Sequence, residues 1–267
     1  MPGLALVTGT SSGIGRACAE LLCDQGWQVL AGVRTAGDAP EGCEELLLDV
    51  TDPEQVAAAA DRVGGRLDAL VANAGIALSG PLEFVPLQEL RDQLEVNVVG
   101  QVALLQALLP ALREARGRIV LMGSVSGRLA LPFLGPYAAS KFALEAVADA
   151  LRGEVAPFGI AVSLVQPGSI ATPMWRKGGE RAERLDPAAV ELYGGAITAL
   201  RAWAAKRGAV TPPEEVARTV GHALTAERPR TRYVVGAGAR TRTLIGRAPD
   251  RLRDRLIERL IGRAAAR

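Results

Sequence analysis
The chain has 267 residues, 49% hydrophobic, 22% charged and 4% aromatic, with a formal net charge of +2. That length and apolar content suit one α/β domain with a sizeable core, and the near-neutral balance leaves no broad basic footprint for nucleic acid. Cys18, Cys23 and Cys43 follow no CxxC spacing and His222 stands alone, so neither a disulfide framework nor a histidine-rich metal site is expected. An odd cysteine count points to a reducing, cytoplasmic setting. The start, Met1 to Val7, runs directly into a first strand and is read as leaving no room for a targeting or transmembrane segment. Arg259, Arg263 and Arg267 read as a solvated helix end.

In chain order, short apolar runs alternate with longer periodic segments. Leu4–Thr8, Gln28–Ala31, Glu45–Leu48, Ala69–Ala72, Arg118–Met122, Ala161–Val165 and Arg232–Val235 read as strands, and Ile14–Gln25, Pro53–Val63, Leu87–Arg113 and Tyr137–Ala156 as helices. The strands are apolar without clean alternation, as strands covered on both faces are. Such strand–helix repeats imply a doubly wound α/β fold with a seven-stranded parallel sheet in a single domain spanning 1–267. After Pro167 and Gly168 the regularity breaks into an insertion at about 169–207, with helical patches near Ala188–Leu192 and Ile197–Arg207. Leaving the carboxyl edge of a strand, it is placed to cover a ligand crevice. A terminal helix is expected at about 249–262, with Leu252, Leu256 and Leu260 on its apolar face.

The chemistry-bearing segments lie on these elements. Gly9, Ser11, Ser12, Gly13, Ile14 and Gly15 follow the first strand and open the first helix, where glycines let backbone approach a pyrophosphate and the helix supplies amides and a positive dipole. The spacing is GxxxGxG, so the GxGxxG rule carries over by mechanism only. Tyr137 and Lys141 stand four apart on one helix face, with Ser124 on a different element upstream. An ammonium beside a phenol favours the phenolate, so the pair reads as a proton relay with a lowered tyrosine pKa.

With Asn73, Ala74 and Gly75 after the fourth strand, Asn97 in Glu95–Gly100, and Pro167 and Gly168 followed by Thr172, the pattern resembles the short-chain dehydrogenase/reductase family over about residues 4–237. The resemblance implies a Rossmann fold and hydride exchange between a nicotinamide cofactor and a carbonyl/alcohol pair. It implies that Tyr137 passes the proton, Ser124 hydrogen-bonds the reacting oxygen, Lys141 binds nicotinamide-ribose hydroxyls, and Asn97 holds a water linking the lysine to solvent. Asp49 and Val50 would meet the adenine, Asn73 would border the adenosine, and Ile170 and Thr172 would hold the carboxamide. Where the family often has two asparagines before Ala-Gly, this chain has Ala72 and Asn73, which weakens a backbone-bracing detail and removes no catalytic group. Val33 stands where NAD-preferring relatives carry an acid, and Arg34 follows it, which favours NADP(H) while leaving NAD(H) possible.

Leu129, Leu131, Phe133, Leu134, Met174 and Trp175 offer an apolar wall near Ser124 and Tyr137, suited to a hydrophobic ketone, aldehyde or alcohol. Arg128 and Arg176 stand nearby. Three segments, Ser79 to Phe84, Gln166 to Thr172 and Thr231 to Gly236, are similar to the retinol- and 17β-hydroxysteroid-dehydrogenase-like branch, which raises steroid- or retinoid-like substrates. A ketoacyl-thioester reductase and a catalytically silent NADP(H) sensor remain as alternatives. The resemblance further implies a homodimer or homotetramer built through the long helices.

Overall fold
The apolar runs pair as one parallel sheet. The structure, a computed structural model, describes residues 3–174, 186–206 and 210–261. Its strands are β1 (Leu4–Thr8), β2 (Gln28–Val33), β3 (Glu44–Leu47), β4 (Ala69–Ala72), β5 (Arg118–Met122), β6 (Ala161–Pro167) and β7 (Arg232–Val235), in the order β3-β2-β1-β4-β5-β6-β7. Central β4 is buried at every position, whereas edge strand β3, Glu-Glu-Leu-Leu, alternates half-buried and exposed residues. The strand order reverses between β1 and β4, which opens a crevice at their carboxyl ends. This is a single-domain Rossmann fold.

The helices are α1 (Gly13–Asp24), α2 (Pro53–Val63), α3 (Leu87–Leu94), α4 (Gly100–Ala115), α5 (Gly135–Val155), α6 (Pro187–Lys206), α7 (Pro213–Thr225), α8 (Ala239–Ile245) and α9 (Asp250–Ile261). Leucines from α4 and α5, including Leu104, Leu108 and Leu144, pack with Leu30 and Leu70 on one face of the sheet. Leu22 of α1 and Val220 of α7 pack with Val71 and Val120 on the other. Each such fully buried side chain contributes about 1.5–3 kcal/mol. Local signals set the helix starts: Asp52 Oδ1 accepts from Glu54 N at 2.9 Å and Gln55 N at 3.3 Å, with Pro53 in the first turn.

Two of the expected elements differ from expectation, and the terminal helix forms where expected. The helix expected over Leu87–Arg113 is broken by a π turn, Glu95–Val99, between α3 and α4. The backbone there closes on the loop after β3: a β-carbon on Gly100 would lie 2.6 Å from the Val50 carbonyl oxygen. Within the insertion, the two expected helical patches form one continuous helix, α6. Its two roots are tied together, Ala171 N donating to Thr211 O and Thr211 N to Ser169 O, both at 3.0 Å. The C-terminal α9 buries Ile257 against Leu129 and Leu131, while Leu252 is half exposed.

Among the described residues one helical run, Leu87–Ala115, is long and apolar enough by length and composition to cross a membrane. Its Leu104, Leu105, Leu108 and Leu112 belong to the sheet core, which accounts for that composition. Cys18 is buried and its thiol pushed up to about 12 by desolvation. Burial and a hydrogen bond with Cys23 push Cys43 up to about 12 as well. His222 packs edge-on against Tyr233 with ring centroids 5.9 Å apart.

Candidate active site
A cleft of about 640 Å³ runs along the carboxyl ends of the central strands, from Arg34 to Tyr137. Its floor at one end is the glycine loop. Gly9 and Gly13 have φ of 70° and 60°, a region that favours glycine. Gly9 N and Thr10 N both donate to Gly32 O, at 3.0 and 3.1 Å, which fixes the loop to β2. Ser11, Ser12 and Ile14 line the cleft at the start of α1, whose first turn carries no acid. Gly15 does not line it: a β-carbon there would collide with the Gly9 carbonyl, so this glycine permits loop–helix packing rather than direct contact with a ligand.

The neighbouring walls come from β2, β3 and β4. Val33 is buried and Arg34 exposed at the end of β2, and both face the cleft. Asp49 and Val50 line it too, but Asp49 Oδ1 accepts from Thr51 N at 2.9 Å and Thr51 Oγ1 at 2.8 Å, closing a turn. Asn73 Nδ2 donates to Thr8 O at 2.9 Å and Gly9 O at 3.4 Å, and Thr8 Oγ1 accepts from Asn73 N and Ala74 N. The single asparagine thus braces β4 to the glycine loop while Ala74 and Gly75 remain on the cleft wall. Pro167, Gly168, Ile170 and Thr172 close the opposite wall, and Thr172 packs against Gly13, whose β-carbon position lies 3.1 Å from its methyl carbon.

Beyond Ala74 the chain runs extended under α3 and α4, and three side chains serve its backbone. Gln101 Nε2 donates to Ala74 O at 2.8 Å, Asn97 accepts from Ile76 N at 2.8 Å and donates to Ile76 O at 2.9 Å, and Gln93 accepts from Leu78 N. Residues four apart on the helical run meet residues two apart on the extended segment, a side-chain ladder in place of a strand. Asn97 Nδ2 also donates to Ser140 Oγ at 3.0 Å, and Ser140 Oγ donates to Tyr137 O at 2.8 Å. Both Asn97 amide protons are therefore committed, and Asn97 is buried off the cleft. These contacts brace the floor and the first turn of α5.

Ser124, Tyr137 and Lys141 meet at the inner end. Ser124 hydrogen-bonds the Tyr137 phenol, and its Oγ accepts from Ser126 N at 3.1 Å. Lys141 Nζ donates to Met122 O at 2.8 Å and lies 5.8 Å from the Tyr137 ring centroid. Burial pushes the phenol up to about 12, opposed by the Ser124 hydrogen bond, and pushes the lysine down to about 8. The direction is opposite to the expected depression, because desolvation of the phenolate outweighs the Ser124 hydrogen bond, while the Lys141 ammonium is directed at the Met122 carbonyl.

The expected apolar wall is only partly assembled. Met174 lines the cleft. Leu131 does not: it is buried with Leu129 and Ile257 beneath α9, a packing residue. Phe133 also stands off the cleft, its ring edge-on to Tyr193 of α6 at 6.0 Å. Trp175 and Arg176 lie outside the described residues. Asp92 and Glu95 also line the cleft, from the α3 end that leads into the turn packed near Val50.

The sequence model for short chain dehydrogenase matches residues 3–183. The chain belongs to the short-chain dehydrogenase family. Mouse retinol dehydrogenase 5 is 40% identical over 261 residues, covering 88% of this chain and 80% of that protein. The NADPH-dependent 3-dehydrocapnine reductase of Ornithobacterium rhinotracheale is 37% identical over 286 residues, covering 94% and 95%. A Burkholderia cenocepacia short chain dehydrogenase solved in complex with NADP is 30% identical, with a TM-score of 0.77 and 98% of each chain covered. The protein is thus an oxidoreductase of this family, related to its retinol- and 17β-hydroxysteroid-dehydrogenase-like branch.

In this short-chain dehydrogenase several positioning residues escaped the sequence reading. Thr8, Gln93, Gln101 and Ser140 hold the cleft floor as described, and the four-residue spacing of Gln93, Asn97 and Gln101 was the signal that could have found them. Glu145, one helical turn beyond Lys141, is a buried carboxylate. Its Oε2 meets Arg128 at 2.7 Å and Arg232 at 3.0 Å, and its Oε1 accepts from Gln166 Nε2. Arg232 also grips Asp149 at 2.6 Å and holds that carboxyl below its ordinary value. The network ties the segment after Ser124 to α5, β6 and β7.

Proposed function
We propose that this protein is an NADP(H)-dependent oxidoreductase that interconverts a hydrophobic ketone or aldehyde, steroid- or retinoid-like in character, with its alcohol. The carrying observation is that one continuous cleft holds Ser124, Tyr137 and Lys141 at one end and the glycine loop and Arg34 at the other. A dinucleotide fits these residues: the loop amides and the α1 dipole suit a pyrophosphate, and Arg34 beside apolar Val33 suits a 2′-phosphate where no acid repels it. The NADPH-dependent reductase and the NADP-bound relative support the same cofactor. Thr172 and Ile170 would hold the carboxamide, and Lys141 the ribose hydroxyls.

When bound, the nicotinamide supplies the hydride in reduction or accepts it in oxidation. In reduction Tyr137 holds its proton firmly and is aimed with Ser124 at the carbonyl oxygen, which receives that proton as the carbon receives the hydride. The phenolate left behind is stabilised by Ser124 and by the Lys141 ammonium, which is mostly charged at neutral pH. Oxidation reverses both transfers. Association into a homodimer or homotetramer is part of this reading, with Val99 and Phe142 exposed on the α4 and α5 side of the molecule.

Tyr137→Phe tests the proposal. The ring stays and the proton is lost, so kcat for NADPH oxidation with an apolar ketone should fall about 10²–10⁴-fold while NADPH binding is retained. Near-normal turnover in that variant would overturn the proton transfer. Tight NADPH binding by the native protein with no turnover across a broad ketone panel would favour a silent sensor.

A further inference from the structure
Tyr193 lies in the first half of α6, outside the cleft described above and outside the residues matched by the family model. Its hydroxyl donates to Glu83 Oε2 at 2.7 Å. Its ring meets Phe84 edge-on with centroids 6.1 Å apart, and Phe133 edge-on at 6.0 Å. One side chain of the insertion therefore grips two segments remote from it in sequence.

Those two segments are themselves joined. Gly80 N donates to Phe133 O at 2.8 Å, and the Leu82 side chain lies 3.2 Å from where a β-carbon of Gly135 would stand. Phe133 has φ of 64°, a left-handed conformation unfavourable for a residue with a side chain, so contacts from outside the loop must hold it. Four residues further on is Tyr137, within the first turns of α5. The other end of the insertion is rooted at Ser169 and Ala171, adjoining the cleft residue Thr172. The Glu83 carboxylate raises the Tyr193 pKa, because removing the shared proton would set two negative charges side by side, and the hydroxyl stays a donor at neutral pH.

We propose that Tyr193 is a positioning residue that fastens α6 to the segments carrying Glu83, Phe84 and Phe133, and so sets the width of the substrate mouth beside Tyr137. The kinetic consequence rests on the reading of the cleft as a site for hydrophobic carbonyl compounds: the fastened helix favours a bulky apolar ketone and is indifferent to a small one. The ring and the hydroxyl act separately. Phenylalanine at this position keeps the edge-on packing and loses the hydrogen bond, while alanine loses both.

Hydrogen exchange followed by mass spectrometry on the full-length, NADPH-saturated protein tests the fastening without turnover. Tyr193→Ala should speed exchange in α6 and in residues 131–134 by about tenfold and leave residues 9–15 unchanged. Tyr193→Phe and Glu83→Ala should each give about threefold, and Glu83→Gln, which keeps an oxygen acceptor, should stay near the native protein. In steady state, Tyr193→Ala should raise KM for a bulky apolar ketone about tenfold, with kcat, NADPH affinity and KM for acetone within about twofold. Unchanged exchange in α6, or equal changes in KM for both ketones, would overturn the proposal. Should Tyr193→Ala fail to fold, Tyr193→Phe and Glu83→Ala decide by the same exchange readout. A native protein that reduces no carbonyl compound would overturn the functional reading instead, and the exchange data alone would then decide the fastening.

Discussion

At the Gly9–Gly13 end of the cleft the constraints are backbone constraints, with φ of 70° and 60°, amides converging on the Gly32 carbonyl, and a helix start facing the opening. Outside the cleft, around Phe133 and Tyr193, they are side-chain constraints, assembled from the segment after β4, the segment before α5 and the insertion. A backbone cradle for phosphates is rigid and tolerates no added β-carbon where chain meets chain, as Gly15 against Gly9 illustrates. The contacts around Tyr193, aromatic edges and one hydroxyl, involve no strand of the sheet. The cleft thus has a backbone-built end at the glycine loop and a side-chain end at Ser124, Tyr137 and Lys141, with the Tyr193 contacts outside it.

Substitutions should respect that division. The largest effect is expected at the side-chain end. Lys141 is depressed from the ordinary 10.5 to about 8 by burial, so its ammonium is present below that pH and lost above it. In the reductive direction kcat/KM should therefore decline as pH rises through about 8. Lys141→Arg, which cannot deprotonate in this range, should lower the rate about 100-fold and abolish the inflection. An inflection that persists in the variant would assign it to another group. At the nucleotide end, Arg34→Ala should weaken NADPH binding about 10–100-fold and leave NADH binding within about twofold, measured by cofactor fluorescence titration. Equal losses for both cofactors would remove the phosphate contact.

Off the cleft, beneath α9, the expected effects are smaller and of another kind. Leu131→Ala should cost about 2 kcal/mol in urea denaturation, since it opens space beneath α9, and leave KM for an apolar ketone within about twofold. A raised KM with unchanged stability would return Leu131 to the substrate wall.

Legibility in the sequence follows the same division. The glycine loop, Tyr137 with Lys141, and Val33 with Arg34 were readable because each depends on a few adjacent residues and one local geometry. The sheet was readable because covered parallel strands are continuous apolar runs. The π turn at Glu95–Val99 was not, and the close approach beside it, Gly100 against the carbonyl of Val50, involves a loop distant in sequence. Nor was the role of Asn97, whose partners Ile76 and Ser140 come from two other elements. The raised pKa of Tyr137 escaped for a related reason: helical spacing announces a neighbouring ammonium but says nothing of how completely the phenol is desolvated. For Leu131 and Phe133 the packing against α9 and α6 was not readable either, because those partners lie far along the chain.

The most direct measurement of the central claim is oxidation of NADPH and of NADH by one purified preparation across a panel of ketones graded from compact and polar to bulky and apolar. kcat/KM should be at least about tenfold higher with NADPH, from the charge-assisted contact at Arg34, and should rise with the apolar bulk of the ketone. Equal or better use of NADH, or activity confined to compact polar ketones, would contradict that claim.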